Sequence, residues 1–469
     1  MDEKLVIAVF GCGGIYKGLL GKLNRLGVNY CFDNNWMTLQ SELCENIRDP
    51  KSICELDVDL VIITCKAIDE IKKQLIGYGL PEDKIKTYKD VDGLIFLQES
   101  QKERREKYEL ASRKVKSDKD ILIISNEMTF SGAITAIYYM SKILINHEYQ
   151  VSLISINDDC GMGKYFEDIG VNVLYERFFG YENKELWEYL DKFKIIFVNT
   201  MIYYEIVPMM KHLSANIVWW IHECDERCDP LRNVQRTDLP EKLRVLGVGK
   251  RAVKSIKNIW GEDYPASSML YGIPDIQYSQ KENESHKKWI FAVIGTLFPV
   301  KGQDVYINAI SGLSEELRND AEFWIIGRVS DRNTEKEVLN AAESKLVKYL
   351  GELSRVEMDR IYQDIDVVVV PSRRDTMPIV AAEAMMNRKI CVVSDVIGTA
   401  EYINDGVNGF VFKKEDAEGL KNILKKIIMS KDQSFYDNIR NEARHTYEKL
   451  FSLPSFESNI IELFGNINN

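Results

Sequence analysis

None of the nine cysteines of this 469-residue chain falls in a Cys-x-x-Cys pair, and no second pair of Cys or His follows Cys224 and Cys228 at finger-like spacing. That argues against a zinc finger or ribbon. With an odd cysteine count it also argues against a disulfide framework, and the thiols read as reduced, as in the cytoplasm. No apolar run approaches the roughly 18 residues that span a bilayer. The first residues, MDEKLVIAVF, lack the basic n-region and small-residue cleavage site of a secretory signal. An excess of positive charge is missing as well. The net charge is −11, which argues against non-specific binding of nucleic acid. No internal repeat of solenoid period is present.

What remains is an ordinary globular composition, 45% hydrophobic and 28% charged, in a chain long enough for about two or three domains. Short, nearly continuous apolar runs alternate with amphipathic stretches: LVIAVF, DLVIIT, DILIIS, YQVSLISI, KIIFVNT, NIVWWIH, WIFAVIG, AEFWIIG, DVVVVPS and KICVVS. Such runs predict parallel strands covered on both faces, hence an α/β class built from doubly wound sheets. The expected divisions are a small Rossmann-like unit at 1–98, an exposed charged helical linker at 99–119, units at 120–284 and 285–450, and a last amphipathic helix at 451–469.

The most specific stretch runs from Pro371 to Gly409, PSRRDTMPIVAAEAMMNRKICVVSDVIGTAEYINDGVNG. A buried strand ends at Pro371. A loop with Arg373, Arg374 and Asp375 follows, and a helix is predicted from near Pro378 through Glu383. Asp375 and Glu383 are eight positions apart, about two helical turns. A helix N-terminus offers free N–H groups and a positive dipole end that suit a diphosphate. An acid before it can accept sugar hydroxyls, and an acid two turns in can accept ribose hydroxyls. Taken alone, the pair is better explained as two solvated helix carboxylates.

The segment resembles the donor-site signature of retaining glycosyltransferases of family 4, which have the two-domain GT-B fold. There a strand ends in Pro-Ser, an acid follows, then seven residues and Glu-Ala-Met; here these are Pro371-Ser372, Asp375 and Glu383-Ala384-Met385. The family usually has Glu at the first acid and a Gly-rich stretch after it, where this chain has Asp375 and TMPIV. GTAEYINDGVNGFVF resembles the next strand and loop, including Gly398, Glu401 and Gly409. IGTLFPVKGQD resembles the opening of the family's C-terminal domain and places Lys301 at the donor phosphates. FWIIGR resembles a strand ending in a turn at Gly327, SNEMTFSGAI the loop that approaches the donor phosphate through Gly132, and VWWIHE a strand that sets His222 at the cleft.

The resemblance covers 120–469 and implies a GT-B domain pair with the last helix packing back on the N-terminal domain. It implies His222, Lys301 and Asp375 as catalytic residues. It implies donor binding by Gly132, Gly327, Arg328, Arg373, Arg374, Thr376, Met377, Pro378, Ile379 and Glu383. From the residues alone His222 reads also as a core-edge histidine and Lys301 as a surface lysine. Of the adjacent Arg373 and Arg374, one is expected to face the cleft.

The implied reaction moves a sugar from a nucleotide-sugar to a surface-polysaccharide, teichoic-acid-like or glycolipid acceptor, without cofactor or metal. Asp364-Ile365-Asp366 spells the Asp-x-Asp of metal-dependent enzymes, but it lies in a helix-to-strand passage and reads as chance. The alternative is a non-catalytic GT-B subunit that binds sugars or a partner enzyme. No nucleic-acid partner is expected. A lipid-linked acceptor would bring a cytoplasmic protein to the inner leaflet of the membrane.

IAVFGCGGIYKG, near the start, poses a different question. Gly11, Gly13 and Gly14, with Asp33 roughly twenty residues on, suit a dinucleotide site. But Tyr16 stands at the third glycine position, and the unit is one mononucleotide half with no hydride-transfer site. It resembles small Rossmann-like domains fused to bacterial sugar-modifying enzymes. A docking or regulatory role is expected in place of NAD-dependent redox chemistry, and a chain starting near Lys119 is expected to fold.

Overall fold

The computed structural model describes residues 5–39, 46–98, 101–117, 119–126, 128–129, 131–156, 161–180, 183–276, 288–430 and 432–468. The chain divides into two compact units, Met1–Val115 with Glu176–Lys192, and Lys116–Tyr175 with Phe193–Asn469.

The first unit holds a parallel sheet of β1 (Ile7–Phe10), β2 (Tyr30–Phe32), β3 (Ile47–Arg48), β4 (Leu60–Ile63) and β5 (Ile85–Thr87), ordered β3-β2-β1-β4-β5. Tyr16 is buried at 1% exposure, in a cluster with Ile7, Val9 and Cys31. A phenol thus fills the gap through which a dinucleotide fold brings helix and strand together. Asp33, the acid at the ribose position, accepts the Cys12 N–H at 2.8 Å through Oδ2 and the Asn35 N–H at 2.8 Å through Oδ1. Both of its oxygens thus accept backbone N–H groups of the same unit.

The charged segment departs from expectation. It is helical over Gln101–Ser112, but Tyr108 and Ala111, three positions apart on one face, are buried. The Tyr108 hydroxyl donates to Glu176 Oε2, and Lys107 Nζ lies 2.8 Å from the same oxygen. The Tyr108 ring sits 5.6 Å from that of Tyr189, in the helix Lys184–Leu190. An excursion of the later chain, Glu176–Lys192, therefore covers this helix, which is not an exposed linker. It also takes 176–192 out of the expected 120–284 unit.

The second unit holds two parallel sheets. One contains β6 (Asp120–Ser125), β7 (Gln150–Ser155), β8 (Asn172–Tyr175), β9 (Ile195–Asn199), β10 (Asn216–Ile221), β11 (Leu243–Gly247) and β12 (Ser267–Ser268), ordered β12-β11-β10-β9-β6-β7-β8. The other contains β13 (Trp289–Ile294), β14 (Ala321–Ile326), β15 (Lys348–Tyr349), β16 (Val367–Val370), β17 (Ile390–Ser394) and β18 (Phe410–Phe412), ordered β15-β14-β13-β16-β17-β18. Each sheet grows first to one side and then to the other, so the strand order reverses between β6 and β9 and between β13 and β16. Ligands of open α/β sheets bind in the crevice at such a switch point, beyond the carboxyl ends of the strands.

The terminal helix Leu453–Asn468 lies with the β6–β12 sheet. Its Phe456 ring is 5.9 Å from Trp220, its Phe464 ring 5.8 Å from Tyr149, and Glu457 is 2.6 Å from His147.

Candidate active site

Two loops meet at the β13/β16 switch point. A short turn, Pro299–Lys301, ends at Gly302 with φ +72°, where a Cβ would overlap the Pro371 carbonyl at the end of β16. Glycine alone lets the lysine turn settle there. The Arg373 N–H then donates to the Val300 carbonyl at 2.8 Å. This brings Lys301 Nζ to 2.6 Å from Asp375 Oδ2, with the two side chains 36% and 18% exposed. The helix Ile379–Met386 begins directly beyond, after Pro378, with no side-chain cap. The Ala381 N–H donates to the Pro378 carbonyl at 3.1 Å, and the N–H groups before it have no partner inside the helix, which leaves them to a ligand or solvent. Four residues into it, Glu383 accepts the Tyr362 hydroxyl at 3.3 Å.

The N-terminal domain faces this loop. A Cβ on Gly132, the first residue of the helix Gly132–Asn146, would lie 3.2 Å from the Ile379 side chain. Thr376 Oγ1 donates to Cys224 Sγ at 3.2 Å, Arg374 Nη1 lies 3.4 Å from Glu226 Oε2, and the Tyr271 hydroxyl donates to the Met377 carbonyl at 2.9 Å. Thr376 and buried Met377 therefore join the two domains.

His222 follows β10, its ring 4.4 Å from that of Trp220. Burial holds its pKa down to about 3, and Nε2 is buried with no hydrogen-bond partner. The imidazole is thus neutral at physiological pH and suits hydrogen bonding rather than charge stabilisation. Protonation linkage gives a test. Between about pH 6.5, the ordinary histidine value, and pH 3 the unfolded chain binds this proton and the folded chain does not, so stability falls as pH is lowered. His222→Gln is expected to remove that component: the Tm of the wild type should fall towards pH 3 more steeply than that of the variant.

Arg373 is held within the two loops. Its guanidinium holds Asp304 through two bonds of 2.8 and 2.6 Å, Glu415 Oε1 at 2.7 Å and the Pro299 carbonyl at 2.6 Å. It clamps the lysine turn to the β16 loop. Burial would raise the Asp304 pKa, but the Arg373 guanidinium outweighs it and holds the carboxyl below its usual range. The clamp's contribution is present above the ordinary carboxylate range and is lost as pH falls through the lowered pKa. Arg373→Ala is expected to cost about 1–3 kcal/mol near neutral pH, read as a lower Tm, with the difference shrinking below about pH 4.

Gly327 serves as a spacer: its N–H donates to the Gly351 carbonyl at 2.8 Å, and a Cβ there would overlap the Gly295 carbonyl. Arg328 is exposed. Sequence reasoning missed Asp304, Tyr362 and Glu223. The Glu223 carboxylate accepts the N–H groups of Met201 at 2.8 Å and His222 at 3.0 Å, while burial pushes its pKa up. A signal existed for Asp304, an acid in the first turn after the lysine loop, opposite two arginines in the other loop. Among the described residues, no group of three or more His, Cys, Asp or Glu suits a metal ion, and no helix is long and apolar enough to cross a membrane.

The chain is similar to known proteins along most of its length. Residues 275–446 match the family model "Glycosyl transferases group 1", residues 117–236 "Glycosyl-transferase family 4", and residues 1–86 "C2185-like, N-terminal". Glycogen synthase of Thermodesulfovibrio yellowstonii is 25% identical over 45% of this chain and 44% of its own length. Lipopolysaccharide glucosyltransferase WaaG of Escherichia coli is 25% identical over 42% of this chain and 53% of its own. The chain thus spans about half the length of these curated relatives. Anabaena HepE, crystallised with UDP, superimposes with a TM-score of 0.63 at 17% identity, over 74% of this chain and 100% of that one, which shows a shared fold. With both glycosyltransferase models matched in order across two facing Rossmann-like sheets, the chain belongs to the family 4-like glycosyltransferases of GT-B fold, preceded by a C2185-like domain.

Proposed function

We propose that the protein transfers a sugar, with retention of anomeric configuration, from a nucleotide-sugar to a hydroxyl of a surface-polysaccharide, teichoic-acid-like or glycolipid acceptor. The observation that carries this reading is the meeting of Lys301, Asp375 and the uncapped start of helix Ile379–Met386 at one switch point. HepE, solved with UDP and with UDP-glucose, supports a UDP-sugar as the first donor to try.

In this reading the diphosphate lies between the Lys301 ammonium and the N–H groups of the helix start. Both oppose the negative charge that grows as the bond from the anomeric carbon to the diphosphate breaks. Asp375 leaves Lys301 and accepts sugar hydroxyls, and Glu383 accepts those of the ribose. His222, uncharged, hydrogen-bonds the transferred sugar. The acceptor oxygen attacks on the face the diphosphate leaves, and its proton passes to the departing phosphate oxygen. Lys301 and the helix supply the positive charge, so the proposal includes independence of metal and of any cofactor. The protein would act in the cytoplasm and meet lipid-linked acceptors at the inner leaflet.

The test is release of nucleoside diphosphate from a panel of nucleotide-sugars by the full-length chain, with and without excess EDTA. Release from at least one donor, unchanged by chelation, is expected. Release from none would favour a non-catalytic subunit, and metal-reversible loss would overturn metal independence.

A further inference from the structure

The chain passes twice between the two sheets of the second unit. It leaves the first sheet after β12, through residues 271–275. It returns through Phe451 and Ser452, between helix Gln433–Leu450 and the terminal helix. The two crossings run side by side. The Ile273 N–H donates to the Phe451 carbonyl at 2.8 Å, and Ile273 pairs with Ser452 in an isolated parallel bridge. A Cβ on Gly272 would lie 2.7 Å from the Ser452 carbonyl oxygen and 2.6 Å from Phe456 Cβ, so glycine lets them close up. The Tyr447 hydroxyl donates to the Ile273 carbonyl at 3.0 Å. Any rotation of one sheet against the other must turn this joint.

Arg444 lies three positions before Tyr447, on the same face of its helix. Its guanidinium holds both carboxylate oxygens of Asp275 in the first crossing, Nη1 to Oδ1 at 2.8 Å and Nη2 to Oδ2. Nη1 also donates to the Met386 carbonyl at 2.8 Å, and Nε to Glu448 Oε1 at 2.7 Å. Met386 is the last residue of helix Ile379–Met386, whose start faces Lys301. The preceding carbonyls at that end are taken locally. Glu383 accepts the Asn387 N–H, Met385 that of Arg388 and Ala384 that of Lys389, with Arg388 turned to φ 55°. The Met386 carbonyl is closed by Arg444, from another element. A cation there also opposes the negative end of the dipole whose positive end faces the donor site.

We propose that Arg444 is a positioning residue for the transfer reaction proposed above, on which this inference rests. It locks the far end of the donor-loop helix to the interdomain joint, so the angle between the domains sets where the helix start holds the diphosphate. The helix has eight residues, a rod of about 12 Å. A guanidinium fork with two bonds to Asp275 and one to the helix leaves little play between them. The Arg444 side chain is 14% exposed, so water competes little for these bonds. Glu448 stands on Arg444's own helix and links no second element to it, which makes it the internal control.

The test uses the full-length chain and the donor that the nucleotide-sugar panel identifies. Arg444→Gln and Asp275→Asn should each lower kcat about tenfold or more, with donor KM within about threefold. The phosphate contacts of the ground state persist, and the geometry of attack is what is lost. The double variant should be no slower than the slower single one, and Glu448→Gln should stay within about twofold of the wild type. Hydrogen exchange reads the link without turnover. Asp275→Asn, which changes the crossing and not the helix, should speed exchange of amides 379–389 about threefold or more, and in an Arg444→Gln background it should add nothing. A lower Tm with unchanged kcat, additive losses in the double variant, or exchange at 379–389 unmoved by Asp275→Asn would each overturn the proposal and leave Arg444 a stability clamp. No turnover of any donor by the wild type would overturn the donor reading, and the exchange result would then decide the link by itself.

Discussion

Lys301→Ala should lower kcat/KM for the donor by about 30- to 1000-fold, the equivalent of about 2–4 kcal/mol of transition-state stabilisation. Lys301 and Asp375 touch at 2.6 Å in a partly solvated loop, and ion pairs in such settings contribute about 0–1 kcal/mol. The pair therefore parts at little cost when a diphosphate enters. In the transition state the ammonium faces a leaving group gaining charge in a site from which water is excluded, where the same charge counts for much more. Arg374→Ala is the matched control. Its contact with Glu226 is 3.4 Å long and Glu226 is 76% exposed, so its removal should change kcat/KM by less than about fivefold. Steady-state donor turnover and a melting curve for each variant check this. If Lys301→Ala keeps near-wild-type kcat/KM, the phosphate clamp is misplaced; if Arg374→Ala falls as far, the charge is supplied by the wrong residue.

The elements legible in the sequence are those buried on both faces. β4 and β16 are continuous apolar runs, β9 and β17 are apolar up to a last Asn199 and Ser394, and every residue of the four is buried, because a parallel strand under helices on both sides has no solvated face to encode. Sheet edges left little trace. All four residues of β8 are half-exposed, and β3, β12 and β15 are two residues long. Of the site, each loop was legible through its motif, whereas pairings across loops were not. Which of Arg373 and Arg374 turns inward depends on Asp304, 69 residues earlier, and nothing local to the arginines records it. The helix Gln101–Ser112 shows the same limit in reverse. Its mean polarity describes a solvated helix, while Tyr108 and Ala111 on one face meet a segment that arrives some seventy residues later.

That segment moves the boundary at which the chain can be cut. Removing 1–98 keeps the helix Gln101–Ser112, and with it the bonds from Lys107 and Tyr108 to Glu176. Removing 1–118, the cut that charge density alone suggests, strips that helix from Glu176–Lys192. Leu186, Tyr189 and Leu190 are each at most 1% exposed in the folded chain. Burying a large apolar side chain stabilises by about 1.5–3 kcal/mol. Uncovering even part of three such residues, together with Glu176, is a large share of the roughly 5–15 kcal/mol by which a domain is stable. The 99–469 chain should therefore be monodisperse in size-exclusion chromatography and keep its donor turnover. The 119–469 chain should aggregate or melt at a markedly lower temperature, and Leu186→Gln with Tyr189→Gln should restore its solubility in part. A monodisperse 119–469 chain with an unchanged Tm would show that the Glu176–Lys192 excursion folds without its partner helix.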